Sequence, residues 1–193
     1  MKRLLLLSFI FLFTFGIQAQ KKNPLYDNFD ENANIGWWFY GKDSPINQNA
    51  IDPLNNANKV LHFAKNSKGP QGIYNGVGAS FKENFNLKKK SRFTVRILFP
   101  DTRKNRKIKD QTVIFKLTNG NDNFIQIKKP IKMINEWQTV TFDFKEDQTF
   151  SKGSGGTKKG LHGMIFDFAQ SSGTTPADFY IDDFSYENDL VKH

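Results

Sequence analysis

Phe179-Tyr180-Ile181-Asp182-Asp183-Phe184-Ser185-Tyr186 is the stretch whose reading decides the fold. Simple alternation puts Tyr180, Phe184 and Tyr186 on one side with Asp182, and Ile181 and Ser185 on the other with Asp183. A strand is therefore predicted, with a carboxylate inside an apolar row. Such a group is costly unless it is hydrogen-bonded, paired or bound to a cation. Leu25-Tyr26-Asp27-Asn28-Phe29-Asp30 has the same character. If the two segments pair in a sheet, Asp27, Asp30, Asp182 and Asp183 converge on an oxygen-rich site of the kind that takes a structural Ca2+. Two other uses stay open: capping of strand ends and turns, and a catalytic carboxylate pair. The last would also need a cleft with substrate-positioning groups, which one strand does not supply.

Working outward, the same period of two recurs. Phe93, Val95, Ile97 and Phe99 form an apolar row, with Thr94, Arg96 and Leu98 facing away. Val113, Phe115 and Leu117 repeat the pattern against Thr112, Ile114 and Lys116, and Ile125 and Ile127 repeat it against Phe124, Gln126 and Lys128. Further strands are expected over Tyr26–Asp30, Val60–Ala64, Ile73–Phe81, Trp137–Phe144 and Leu161–Phe168. Asp43–Asn58, rich in Asn, Asp and Pro, reads as a long exposed loop, and Thr149–Gly160 as another. The basic run Asp101–Asp110 reads as a solvated connection. Trp37 and Trp38 face opposite ways in a strand, so one joins the core while the other reaches a surface. Gly76 and Gly78 make no nucleotide-binding loop, since the terminal lysine and the following helix are absent; a bulge or a close backbone approach is expected. His62, His162 and His193 form no zinc triad.

Lys2 and Arg3, the apolar run from Leu4 to Ile17 and the small Ala19 read as a secretory signal over 1–19, leaving 20–193 as a single domain. The protein is expected to be bacterial and secreted, cell-surface or periplasmic, without stable membrane insertion after cleavage. The chain has no cysteine, so disulfides and thiol chemistry are excluded. Twenty phenylalanines, five tyrosines and three tryptophans among Asn, Gly and Lys turns favour layered β structure over a helical bundle. The formal charge of +9 falls to +7 without Lys2 and Arg3. That excess allows anionic polymers, but no nucleic-acid motif accompanies it, and secretion argues against that partner.

Tyr26-Asp27-Asn28-Phe29-Asp30 followed by Trp37, then Trp137 through Phe144 before a loop, and Tyr180-Ile181-Asp182-Asp183-Phe184 at the end resemble the jelly-roll, galactose-binding-like carbohydrate-binding modules of secreted glycan-degrading systems. The resemblance implies an all-β, two-sheet jelly-roll sandwich with its terminal strands adjacent, often with Ca2+ near them. It implies non-catalytic binding of an oligosaccharide or polysaccharide, anionic ones included, on a sheet face or a loop rim. Arg96, Lys116, Phe124, Gln126 and Lys128 would serve a face; Trp37, Trp38 and Tyr74 would serve either. No row of tryptophans is present for a flat crystalline ligand. The alternatives are a small β-sandwich polysaccharide lyase or glycosidase, for which no acid–base cluster is evident, and a cell-surface interaction domain.

Overall fold

The computed structural model describes residues 25–30, 35–40, 46–65, 76–108, 111–120, 123–132, 134–152, 160–168 and 176–186. The expected signal segment and Tyr74 lie outside them. Twelve strands are found among the described residues: β1 (Tyr26–Asp27), β2 (Trp37–Tyr40), β3 (Ile46–Asp52), β4 (Asn55–Lys65), β5 (Gly76–Ser80), β6 (Arg92–Leu98), β7 (Thr112–Thr118), β8 (Phe124–Pro130), β9 (Trp137–Asp143), β10 (Phe150–Lys152), β11 (Gly163–Phe168) and β12 (Ala177–Tyr186). They form two antiparallel sheets. Sheet A runs β3-β4-β12-β6-β9 with β1 also on β12; sheet B runs β10-β8-β7-β11-β5-β2. This is the all-β, two-sheet sandwich expected of a jelly-roll, galactose-binding-like chain.

The core between the sheets is aromatic. Phe93, Phe142 and Phe179 from sheet A meet Phe115, Phe166 and Phe168 from sheet B, with ring centroids 4.9 Å apart for Phe93–Phe115, 5.0 Å for Phe115–Phe142 and 4.2 Å for Phe168–Phe179. All six rings are buried. Rings of this size span most of the roughly 10 Å between packed sheets, so few residues per strand suffice to fill the interior.

β12 sits at the centre of sheet A and departs from simple alternation. Its register against β6 shifts between Asp182 and Ser185, and Asp183 has φ 46. One extra residue in a left-handed conformation is a bulge, and it switches the faces of all that follows. The core-facing set is therefore Ala177, Phe179, Ile181, Phe184 and Tyr186, correcting the grouping that alternation gives. Asp182 is left on the outer side, opposite Arg96.

The expected pairing of the terminal segments is present: Tyr26 lies opposite Ser185 and Asp27 opposite Phe184. A second correction concerns 43–58. Residues 46–52 and 55–65 form a hairpin, not a loop. β4 pairs with β12 as far as Leu61 opposite Ile181; further along, β1 takes its place beside β12. The hairpin tip thus leaves the sheet. It reaches over the outer face of sheet A, where Asp52 accepts a hydrogen bond from Trp137 Nε1 on the far edge strand (3.0 Å). Asn58 Nδ2 donates to both Asp52 and Asp182, each at 3.1 Å. Part of the expected second loop is also ordered, since Phe150–Lys152 pairs with β8 as an edge strand.

Candidate functional site

The outer face of sheet B brings most of the expected ligand residues together. Cross-strand registers place Phe150, Gln126, Lys116, Ile165, Gly78 and Trp38 in one row running across the strands. Phe124 with Thr118 and Lys128 with Ile114 flank that row on either side. Five strand spacings separate Phe150 from Trp38, about 24 Å. The row is aromatic at both ends, with polar Gln126 and Lys116 and then apolar Ile165 and Gly78 between them.

The glycines of β5 explain the posture of Trp38. A Cβ at Gly78 would lie 3.0 Å from Trp38 Cη2 and 3.1 Å from its Cζ2, so the indole rests on bare backbone. Only a residue without a side chain leaves that space. The close approach expected of these glycines is therefore made to a tryptophan ring on one side. On the same strand, a Cβ at Gly76 would come within 2.5 Å of Asp167 Oδ1. Asp167 thus occupies the space beside Gly76.

Asp167 is 2% exposed and meets Lys116, whose Nζ lies 3.3 Å from its Oδ2. The same ammonium stands 4.7 Å from the centroid of Phe124, within cation–π range. At the far edge, Phe124 and Phe150 lie 6.3 Å apart, and Phe150 is 60% exposed. Asp167 and Phe150 are the members of this face that sequence reasoning does not select. Their signals are modest: an alternation that puts Asp167 opposite Met164 and Phe166, and an aromatic inside a Gly/Ser/Lys run.

Two expected residues do not belong here. Trp37 is 5% exposed and its Nε1 donates to Asp27 Oδ2 inside the sandwich (3.0 Å), so it is a core residue. Arg96 sits on β6 in the other sheet, under Trp137 (5.1 Å) and 3.2 Å from Asp183. Tyr74 falls outside the described residues.

The four aspartates expected to hold Ca2+ do not fit one ion. Asp27, beside Phe184, points into the sandwich and accepts from Phe29 N, Ile35 N and Trp37 Nε1. Asp182, on the outer face, accepts from Asn58 and from Arg96 Nη1 (3.4 Å). Asp30 takes the Lys59 N–H, and Asp183 takes the Tyr26 hydroxyl and Arg96. Among the described residues no group of three acidic, histidine or cysteine side chains is placed to hold a metal ion. Burial pushes the Asp182 carboxyl up to about 6, against the opposing Asn58 hydrogen bond and with the Asp183 charge adding to the rise. Burial, then Asp183, pushes the Tyr26 phenol up to about 12.

No family model matches the chain, and no curated protein matches it in sequence. Solved structures do match it in fold. A family 11 carbohydrate-binding module from Clostridium thermocellum, in complex with a beta-1,3-1,4-mixed-linked tetrasaccharide, is similar over 82% of this chain and 91% of its own, with 13% identity and a TM-score of 0.50. The family 11 module of a cellulosomal cellulase from the same organism is similar over 82% and 92%, with 12% identity and a TM-score of 0.53. At such identity the likeness speaks for the fold alone: the chain has a jelly-roll, galactose-binding-like sandwich similar to that of these two modules, with no single module family assigned.

Proposed function

We propose that the chain is a non-catalytic binder of an oligosaccharide or polysaccharide, held across the outer face of sheet B. The observation that carries this reading is the Trp38 indole resting on Gly78, in one cross-strand row with Lys116, Gln126 and Phe150. A ring seated on backbone offers its other face to a ligand without losing rotamer freedom on binding, and pyranose C–H surfaces pack on such faces. Lys116 and Gln126 supply donors and an amide acceptor for hydroxyls. The length of the row, about 24 Å, suits a chain of several sugar units lying across the strands. The modules of similar fold bind glycans, in one case a mixed-linked tetrasaccharide, which agrees with this assignment. Secretion to a bacterial surface or periplasm belongs to the same proposal. Among the described residues no helix is long and apolar enough to cross a membrane.

Glycan-array binding of the folded protein, followed by titration of Trp38→Ala, tests it. Loss of one stacking contact is expected to weaken binding about tenfold, with the circular dichroism spectrum unchanged. Absence of binding across neutral and anionic glycans, or a Trp38→Ala protein that binds as tightly as the parent, overturns the proposal.

A further inference from the structure

We propose that the Lys116–Asp167 pair makes the outer face of sheet B select uncharged sugars, with Asp167 as the residue that sets this charge preference. The inference rests on the glycan-binding reading and narrows it to a substrate class, against what the net charge of +9 suggests.

Lys116 is the cation at the middle of the row, and its charge is met from two sides. Asp167 Oδ2 lies 3.3 Å from Nζ, and the electron-rich face of Phe124 lies 4.7 Å from it. The two side chains are only 14% and 3% exposed, so salt screens their attraction weakly. The carboxylate can occupy this position because Gly76 on the neighbouring strand leaves room for it; any side chain there would collide with Oδ1.

The chemical consequence follows from the sum of charges. A uronate or sulfate brought to Lys116 also approaches Asp167, and the repulsion offsets the attraction. A hydroxyl meets no such opposition. An ammonium has three protons, and a sugar oxygen can accept one without adding charge. Other cations of the described chain are placed differently. Lys88, Lys89, Lys90, Arg103, Lys104 and Lys107 are exposed on connections between strands, while Lys128 is exposed on the same face, where water and salt screen it.

The test is calorimetric titration of the full chain with neutral hexasaccharides (cellohexaose and xylohexaose) and with hexagalacturonate, at about 20 and about 200 mM NaCl. The expected result is at least about tenfold tighter binding of a neutral ligand, changing less than about twofold with salt. In Asp167→Asn, which leaves Lys116 uncompensated, hexagalacturonate is expected to gain about tenfold at low salt and to lose that gain at high salt. Hexagalacturonate binding the parent protein as tightly as the best neutral ligand overturns the inference, as does an Asp167→Asn protein with an unchanged ratio. Should that variant not fold, the ligand ranking and salt response of the parent protein decide alone. Binding of none of these ligands, nor of any glycan on the array, removes the underlying glycan reading instead.

Discussion

Asp182 gives the fold an unusual response to pH. The carboxylate is 2% exposed on β12, faces Asp183 on the same strand and Arg96 on β6, and shares the Asn58 amide with Asp52 from the hairpin. Two carboxylates thus share one guanidinium, and a third meets Asp182 through the Asn58 amide. With its pKa raised from 3.8 to about 6, the folded chain holds a proton that the unfolded chain releases. Stability from this group is complete below pH ~4 and is lost as pH rises through ~6. A rise of that size corresponds to about 3 kcal/mol, or about 6–12 °C in Tm for a domain of this size. Asp178 and Asp143 act with the opposite sign: their carboxyls are held below the ordinary range, so their contribution is lost as pH falls below ~4. Between ~4.5 and ~6.5 those two carboxylates are ionised in the folded and the unfolded chain alike, and the difference between the parent and Asp182→Asn reads Asp182. Urea unfolding followed by tryptophan fluorescence should show stability falling with rising pH across that window, and Asp182→Asn should flatten the curve. Asp182→Asn should also be more stable than the parent at pH ~7.5, since Arg96 keeps Asp183 at 3.2 Å. A parent curve that is flat or rises with pH, or a variant that retains the slope, refutes the assignment.

Other consequences are as direct. Gly78→Ala places a Cβ 2.4 Å from the Met164 carbonyl oxygen and against the Trp38 ring, so both stability and glycan affinity should fall, as read by thermal melting and titration. Phe115→Ala removes the ring that meets Phe93, Phe142 and Phe166, and should cost about 3–5 kcal/mol in denaturant unfolding, with no change in ligand ranking if the domain still folds. Because the four candidate aspartates are engaged by N–H, hydroxyl and guanidinium donors, a chelator should leave Tm unchanged; a fall of several degrees would show a bound cation.

The sheets are legible in the sequence because buried strands announce themselves with a period of two. Phe93, Val95 and Ile97, and Val113, Phe115 and Leu117, all face the core as alternation predicts. Alternation separates inside from outside but does not say which sheet a strand joins. That is why it groups Arg96 with Lys116 although Arg96 lies on the opposite face of the sandwich. It also fails at a bulge, where Asp183 adopts φ 46 and resets the faces of β12. Residues 46–52 and 55–59 escape it because they form the outer part of an edge hairpin with little continuous apolar surface, whereas the Val60–Ala64 part of the second strand follows the pattern. Of the site, Trp38, Lys116, Phe124, Gln126 and Lys128 are legible as outward residues of patterned strands. Asp167 is not, because its role depends on Gly76 one strand away.

The same hairpin separates the two faces functionally. Its tip has left the sheet, and its hold combines buried Ala50 and Val60 with polar contacts: Trp137 Nε1 to Asp52, Asn58 to Asp52 and Asp182, and Lys59 N–H to Asp30. Trp137→Phe keeps a ring for Arg96 to stack on but removes one donor from a buried carboxylate, a loss of about 1–3 kcal/mol. Because, among the described residues, the tip pairs with no strand beyond the hairpin itself, that loss should appear as local opening rather than global unfolding. Hydrogen exchange should quicken at residues 50–60 and stay constant on β7 and β11. Glycan affinity should also stay constant, since Trp38 and Lys116 lie on the other sheet. Faster exchange spread evenly over both sheets, or weaker glycan binding in this variant, would mean that the tip supports the whole sandwich and that its two faces are not independent.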